Sequence, residues 1–200
     1  MFKQLHHRFV FRRRVKVLSA TLLPLIGQEI KSILDVGCGD GSVSKMMQDN
    51  NRAIKISGID IMQRRHSLIP VSLYDGKHIP YGDNSFDATM FIDVLHHLHH
   101  VKPLLEEAKR VTSKYILIKD HLYRTRFDFN ILKFMDKAGN KPHGVALEYN
   151  YLKEKEWQTI FKETGLKIIK KNLAIPLYPF PFSMVFGRRL HFVYLLKIEK

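Results

Sequence analysis

The stretch Ile33-Leu34-Asp35-Val36-Gly37-Cys38-Gly39-Asp40-Gly41 decides the fold of this chain. It starts with an apolar run that ends in an acidic residue, which is typical of a buried strand, and three glycines follow at alternate positions. Because glycine lacks a Cβ atom, such a turn lets a bulky ligand lie against the backbone. Residues 42–47 then predict the start of a helix with open N–H groups. Strand, turn and helix start together predict a nucleotide-type binding site.

The spacing of the glycines distinguishes between two kinds of nucleotide site. A dinucleotide fingerprint requires G-x-G-x-x-G, and with Gly37 and Gly39 in the first two places, Ser42 occupies the third. The chain instead reads D-x-G-x-G-x-G from Asp35 to Gly41. This spacing does not match a dinucleotide site.

Two further segments have the form of strands that end in carboxylates. Residues 56–60 end in Asp60, which lies 21 residues after Gly39, and residues 71–76 predict a third strand ending at Asp75. A ribose presents two adjacent hydroxyls, and a carboxylate at a strand end can accept hydrogen bonds from both. Asp60 is therefore the candidate ribose ligand.

A fourth motif completes the series. Residues 79–87, Ile-Pro-Tyr-Gly-Asp-Asn-Ser-Phe-Asp, lead into residues 90–98, Met-Phe-Ile-Asp-Val-Leu-His-His-Leu. In this order the four motifs resemble those of class I S-adenosylmethionine-dependent methyltransferases. The last is similar to the P-F-x-D-x-S-F-D … D-V-L-H-H pattern of the small-molecule (methyltransferase type 11-like) branch. The resemblance covers residues 33–98 closely and residues 99–170 in outline.

The resemblance implies both a cofactor and a fold. The cofactor is S-adenosylmethionine, with S-adenosylhomocysteine as the product. The fold is α/β and Rossmann-like: a seven-stranded, mostly parallel sheet in the order 3-2-1-4-5-7-6, with an antiparallel C-terminal edge hairpin and helices on both faces. The cofactor-binding residues that it implies are Asp35, Gly37, Gly39, Gly41, Asp60, Ile61, Asp75, Gly76 and Asp93.

Hydrophobic periodicity predicts the elements of one domain over residues 1–200. A basic leading segment, 1–30, contains a helix at about 11–26. An insertion, 121–150, is expected over the carboxyl ends of the strands, either as a packed lid or in contact with substrate; it holds a short helix at 131–136 and a loop at 139–144. The other predicted helices are 42–50, 101–112 and 151–164, and the strands are 33–37, 54–60, 69–74, 86–92, 115–119, 166–174 and 190–198.

Composition sets limits on the class of protein. The chain has 200 residues, of which 45% are hydrophobic and 26% charged, which predicts a soluble globular domain with a full core. No apolar run is long enough to span a bilayer, and the pattern near the N-terminus lacks a cleavage site. Cys38, the one cysteine, has no disulfide partner and is interpreted as a small filler in the turn. A cytoplasmic setting is expected.

The net charge of +14 favours an anionic partner, whether nucleic acid, anionic lipid or acidic substrate, or else a well-solvated surface. An apolar, proline-rich loop at 176–186 is followed by Arg188 and Arg189. With the basic leading helix, this loop suggests peripheral contact with an anionic membrane and a lipid-like or quinone-like acceptor. Alternatively, its aromatic residues close the hairpin against the core.

Few residues are needed for the chemistry itself. A sulfonium methyl group is already activated, so the main task is to align an in-line displacement. A base is needed only when the acceptor must lose a proton. The resemblance puts Asp93 and His97 after the fourth strand, facing the methyl group, and His97 is the candidate base because imidazole titrates near neutral pH. The other polar candidates for the acceptor pocket are Asp120, His121, Tyr149 and Tyr151.

The sequence offers three alternatives to a metal-free small-molecule methyltransferase. His96, His99 and His100 would share one face of a helix and suggest a metal, but the matching family segment is a loop entering a helix, so no metal is expected. A nucleic-acid methyltransferase would carry an N/D-P-P-Y/F motif where residues 93–96 read Asp-Val-Leu-His, which disfavours a nucleic-acid partner. A non-catalytic S-adenosylmethionine-binding protein stays open.

Overall fold

The computed structural model describes residues 2–140, 148–187 and 189–199, with the backbone alone for residues 2–9 and Asn140. The strands are β1 Ser32–Val36, β2 Lys55–Asp60, β3 Val71–Leu73, β4 Phe86–Ile92, β5 Thr112–His121, β6 Leu166–Asn172 and β7 His191–Ile198. The helices are α1 Phe2–Leu22, α2 Ser42–Asn50, α3 Lys102–Val111, α4 Arg126–Asn140, α5 Glu154–Glu163 and α6 Ser183–Phe186, with short 3₁₀ turns at Leu23–Leu25 and Leu95–His97.

The seven strands form one sheet in the order β3-β2-β1-β4-β5-β7-β6. Strands β1 to β5 pair in parallel, whereas β7 is antiparallel to both β5 and β6. The predicted fold class and strand order are therefore confirmed. In this topology the carboxyl ends of β1, β2, β4 and β5 lie along one edge of the sheet, where open α/β sheets bind ligands.

Helices cover both faces of the sheet, each face with its own apolar core. On one face, α3 and α5 contribute Leu105 and Trp157, which are 0% and 1% exposed. On the other face, α1 and α2 contribute Leu18 and Met47, both 0% exposed. Complete burial of such a side chain contributes about 1.5–3 kcal/mol to the free energy of unfolding. Burial on both faces holds the glycine turn after β1 in a fixed position.

The leading helix differs from its prediction at both ends. It starts at Phe2 rather than near residue 11, because the chain before Pro24 contains neither glycine nor proline to interrupt a helix. The prediction used apolar spacing, which only the packed half shows. The helix ends at Leu22 rather than 26, since Pro24 has no N–H to donate to the preceding turn.

The inserted segment also differs from its prediction. Its helix, α4, spans 15 residues rather than the short 131–136 stretch, and it includes the start of the loop predicted at 139–144. The rest of that loop, residues 141–144, lies outside the described residues, as does Arg188. Strand β5 extends beyond 115–119 at both ends because it pairs with β4 on one side and β7 on the other. Among the described helices, none is both long and apolar enough to cross a bilayer.

Candidate active site

The turn after β1 depends on its glycines. Gly37, Gly39 and Gly41 have φ values of 73°, 59° and 73°, in the left-handed region that side chains disfavour. A Cβ atom at Gly37 would lie 2.6 Å from Val94, and one at Gly41 would lie 2.5 Å from Ile69. At Gly39 an added Cβ would meet no described atom within 4 Å. The outer two glycines therefore permit packing, and the middle one leaves the backbone open to a ligand.

Asp60 ends β2 beside this turn and is 6% exposed. Its Oδ2 accepts a hydrogen bond from the Gly39 N–H at 2.8 Å, and its Oδ1 accepts one from the Met62 N–H at 2.9 Å. Each carboxylate oxygen can accept a second bond. The carboxylate is thus fixed against the glycine turn with acceptor capacity left for ribose hydroxyls.

Asp75, Gly76 and Ile61 lie beyond the ends of β2 and β3. Asp75 Oδ1 accepts the backbone N–H groups of Lys77 and His78, each at 2.7 Å. These bonds and one from the His78 ring lower the pKa of the Asp75 carboxyl. Gly76 has a φ of 79°, and a Cβ there would lie 3.2 Å from Ile61, whose side chain is 63% exposed. An exposed isoleucine beside an open backbone provides an apolar surface of the kind that an adenine ring packs against.

Asp35 carries a buried oxygen that lacks a partner. The residue is 2% exposed, its Oδ2 accepts the Ser44 hydroxyl at 2.5 Å, and its Oδ1 has no hydrogen bond within the described part of the chain. Burial raises the pKa of Asp35 to about 7, against the opposing effect of the Ser44 bond. Leaving such an atom unpaired is costly. An ammonium group such as that of the methionine moiety would satisfy it, so the predicted cofactor residues fit S-adenosylmethionine.

A second group of predicted residues gathers at the ends of β4 and β5. Asp93 follows β4 with a φ of 58°, and its N–H donates to the Lys119 carbonyl at 2.8 Å. Arg14 of α1 lies 2.7 Å from Asp93 Oδ2, and Lys119 forms an ion pair with Oδ1. Burial alone would raise the pKa of Asp93, but the charges of Lys119 and Arg14 help hold it well below its usual value. Asp93 is therefore a fixed anion.

Asp120, which is fully buried, connects two histidines. Its Oδ2 accepts the Leu95 N–H at 2.9 Å, and its Oδ1 lies 2.7 Å from His96 Nδ1 and 3.2 Å from His121 Nδ1. Burial alone would lower the pKa of His96, but the charge of Asp120 helps raise it to about 10. Burial and the charge of Lys119 lower the pKa of His121. At neutral pH His96 is therefore cationic and His121 neutral. We refer to Asp93, His96, Lys119, Asp120 and His121 as the polar cluster.

The structure brings most of the remaining candidates to the polar cluster. His97 is half-buried, and its ring centroid lies 4.0 Å from that of His96. Tyr151 is 5% exposed and stacks on His96 with a centroid separation of 5.6 Å, while Tyr149 lies 6.4 Å from Tyr151. His99, in contrast, has a 76% exposed side chain. Residues 98–100 are not helical, so the shared face considered for His96, His99 and His100 does not form.

Sequence reasoning missed four residues of this region: Arg14, Lys119, Asp136 and His191. Lys119 is 1% exposed, and its Nζ lies 3.3 Å from His191 Nδ1. Burial lowers the pKa of Lys119 and that of His191. One signal was available, because Lys119 ends the apolar run of β5 directly before Asp120. The other three come from distant segments that only the fold brings near.

The glycine turn, the strand-end carboxylates and the sheet order together define a class I S-adenosylmethionine-dependent methyltransferase. The chain belongs to the methyltransferase domain family, whose model matches residues 5–171. This match confirms the resemblance found in the sequence, with S-adenosylmethionine as the cofactor.

The individual relatives have low sequence identity to this chain. The chain is 26% identical over 141 residues to the ubiquinone/menaquinone biosynthesis C-methyltransferase UbiE of Cupriavidus pinatubonensis, covering 61% of this chain and 58% of UbiE. It spans about half the length of the curated relatives it matches. Its fold is similar to that of a SAM-dependent methyltransferase of Thermotoga maritima, with a TM-score of 0.67 and 16% identity over 99% of this chain and 97% of that chain. It is also similar to magnesium protoporphyrin IX methyltransferase of Synechocystis with bound S-adenosylhomocysteine, with a TM-score of 0.64 and 15% identity over 100% and 88% of the two chains.

Proposed function

We propose that this chain transfers a methyl group from S-adenosylmethionine to a small-molecule acceptor. The observation that carries the proposal is the position of the polar cluster beside the cofactor turn. Strands β1 and β4 pair directly in the sheet, so the glycine turn after β1 and Asp93 after β4 lie next to each other at the same edge. The acceptors named for UbiE and for the porphyrin methyltransferase, which are small molecules, support the same class of acceptor here.

For an acceptor that must lose a proton, we assign the base to His121, ahead of His97, which the sequence analysis named first. The low pKa of Asp120 keeps its carboxylate ionised, so His121 Nδ1 donates the hydrogen bond to it. The proton of the neutral ring is therefore on Nδ1, and Nε2 carries the lone pair that accepts a proton. An orienting carboxylate behind an imidazole is the arrangement of a general base.

Asp93 has a different role in this proposal. With Arg14 and Lys119 both paired to it, its carboxylate does not take up a proton near neutral pH. We propose that it holds α1 and β5 together at the methyl-transfer position and provides a fixed negative charge near the sulfonium.

The proposed activity is tested by measuring S-adenosylhomocysteine release with a panel of acceptors. The panel contains hydroquinones, phenols and amines as small molecules and bulk tRNA as the macromolecular alternative. We expect turnover with a small molecule and none with tRNA. Cofactor binding without turnover on any acceptor would favour a non-catalytic binding protein, and turnover on tRNA alone would overturn the acceptor class.

We further propose that the protein acts in the cytoplasm, in peripheral contact with an anionic membrane, and takes a lipid-like or quinone-like acceptor. An exposed apolar surface in the segment before β7 supports this proposal. It is formed by Phe180, Phe182, Met184 and Val185, with exposed fractions of 80%, 53%, 64% and 43%. We refer to these four residues as the apolar rim.

The basic leading helix adjoins this rim. Arg13 donates hydrogen bonds to the carbonyls of Pro176 and Leu177, at 3.0 and 3.1 Å, so α1 is fixed to the loop that leads into the rim. Val10 and Phe11, on the same helix, are 39% and 36% exposed. Apolar side chains beside a positively charged helix are the composition of an interfacial contact with anionic lipid.

A further inference from the structure

Two histidines and one aspartate converge beside the polar cluster in a way that the proposed chemistry does not require. His96, His97 and Asp136 each present a ligand atom, and these atoms lie within 4.8 Å of one another. His96 and Asp136 are 2% and 7% exposed. The histidines belong to the 3₁₀ turn after β4, and Asp136 belongs to α4, so the fold brings the three together from two separate segments.

The distance between His96 and Asp136 suits two ligands of one ion. His96 Nε2 lies 3.8 Å from Asp136 Oδ1, which is too long for a hydrogen bond. Two ligand atoms that are each about 2.0–2.2 Å from a zinc ion lie about 3–4 Å apart. The geometry therefore leaves room for an ion between the imidazole and the carboxylate.

Two of these ligands are also held by outer partners. Asp120 Oδ1 binds His96 Nδ1 at 2.7 Å, which directs Nε2 toward Asp136. The Tyr151 hydroxyl lies 2.9 Å from Asp136 Oδ2, the oxygen opposite to the one facing His96. Metal-ligating histidines and carboxylates are typically oriented by such hydrogen bonds. Because His96 is otherwise cationic at neutral pH, binding of an ion displaces its Nε2 proton, and the ion replaces that positive charge between the buried carboxylates of Asp120 and Asp136.

We propose that His96, His97 and Asp136 bind a divalent first-row transition ion of the zinc type. Nitrogen and carboxylate ligands suit such ions, and three protein ligands leave a coordination position open. The alternative set, His96 with Asp120 and His121, is less suitable because both oxygens of Asp120 already accept hydrogen bonds, from Leu95, His96 and His121. The proposal is independent of the proposed function, since ion binding is measured without cofactor or acceptor.

The test is calorimetric titration of the full chain with Zn²⁺ after treatment with a chelator. We expect a tight site of one ion per chain that His97→Ala and Asp136→Asn abolish. Tyr151→Phe keeps the ring stacking but removes the outer hydrogen bond, so we expect it to weaken binding by about tenfold. The matched control is His99→Ala, two residues after His97. The side chain of His99 is 76% exposed, so its removal should leave the Zn²⁺ affinity unchanged.

Co²⁺ provides a second readout that does not depend on heat of binding. Its visible absorption reports the coordination number, and we expect a low-coordinate spectrum in the unmodified protein that His97→Ala removes. Thermal unfolding in the presence of chelator identifies any variant that fails to fold, and the half-buried His97 is the position where folding is least at risk. Absence of a stoichiometric site, or equal Zn²⁺ affinity in the unmodified, His97→Ala and His99→Ala proteins, would overturn the proposal and leave a hydrogen-bonded network without metal.

Discussion

Single carboxylates at this sheet edge have different surroundings and therefore different charges. Asp93 is held ionised by two cations, whereas Asp35 has no cation within hydrogen-bond distance in the described part of the chain. The pKa of Asp35 in the folded chain, about 7, lies above its ordinary value of 3.8. Between these two values the folded chain keeps a proton that the unfolded chain has lost. The contribution of Asp35 to the free energy of unfolding therefore falls as the pH rises through this window.

The same property predicts how cofactor binding depends on pH. We propose that ionised Asp35 pairs with the ammonium group of S-adenosylmethionine, so the affinity should rise severalfold between about pH 6 and pH 7.5, as a group titrating near pH 7 requires. Calorimetry at a series of pH values measures this dependence. Asp35→Asn should bind weakly at every pH and show a flat profile; a profile equally steep in that variant would assign the titration to another group.

A substitution at Gly39 allows its effect on cofactor binding to be separated from its effect on folding. An alanine there meets no described atom within 4 Å but must adopt a φ near 59°, which costs about 1–2 kcal/mol of stability. Its methyl group would occupy the space that the ligand needs. We expect Gly39→Ala to remain folded while losing most of its affinity for S-adenosylmethionine, as measured by denaturation and calorimetry on the same sample. Unchanged affinity would show that the ligand does not lie against this backbone.

Among the elements, α1 contacts both the apolar core and the polar cluster. At 21 residues and about 1.5 Å per residue it is about 30 Å long. Its second half packs on α2 through Val15, Leu18 and Leu22, and Arg14, directly before Val15, pairs with Asp93 at the ligand edge of the sheet. The helix therefore connects the core to the active site.

The packed half of α1 should determine the stability of that connection. Leu18 is 0% exposed, so Leu18→Ala should lower the free energy of unfolding by about 2–5 kcal/mol. Lys16, two residues earlier in the same helix, is exposed, and Lys16→Ala should change the free energy of unfolding by less than about 0.5 kcal/mol. Urea denaturation of both variants measures the difference. Similar small effects in both would mean that α1 does not belong to the cooperative core.

At the level of elements, the sequence predicts those features whose signal lies within one contiguous stretch of the chain. The strand and glycine pattern around Asp35 is contiguous, so it located the cofactor turn, and Asp60 followed from its place at a strand end. The position of His191 depends on β7 pairing between β5 and β6, which sets it opposite His121 in the register. Arg14 and Asp136 come to the site on helices whose packing no local pattern specifies. The buried polar cluster therefore required the structure.

At the scale of the whole molecule, the proposed membrane contact combines the net charge of +14 with the apolar rim. Each basic residue near an anionic bilayer contributes about 1 kcal/mol, so a few are enough for reversible binding. We expect co-sedimentation with phosphatidylserine vesicles at low salt, release at high salt, and no binding to neutral vesicles.

A double variant tests whether the rim takes part in that contact. Phe180→Ala combined with Phe182→Ala should weaken vesicle binding, because it removes two exposed rings from the rim. Ile169→Ala is the matched control, since Ile169 on β6 is 42% exposed outside the rim. Equal binding by the double variant and the control would restrict the interaction to charge alone, and no binding at low salt would argue for a soluble metabolite as the acceptor.

Cofactor binding is the most direct measurement of whether this site works as proposed. Calorimetric titration with S-adenosylmethionine should show a single site, and Asp60→Ala should weaken it because the ribose hydroxyls lose a charged acceptor. The loss of such hydrogen bonds corresponds to about 1.5–3 kcal/mol, or roughly ten- to a hundredfold in affinity. Asp49→Ala, which removes an exposed carboxylate on α2, should leave the affinity unchanged. Undetectable binding by the unmodified protein, tighter binding of NAD, or full affinity in Asp60→Ala would show that the glycine turn is not a site for S-adenosylmethionine.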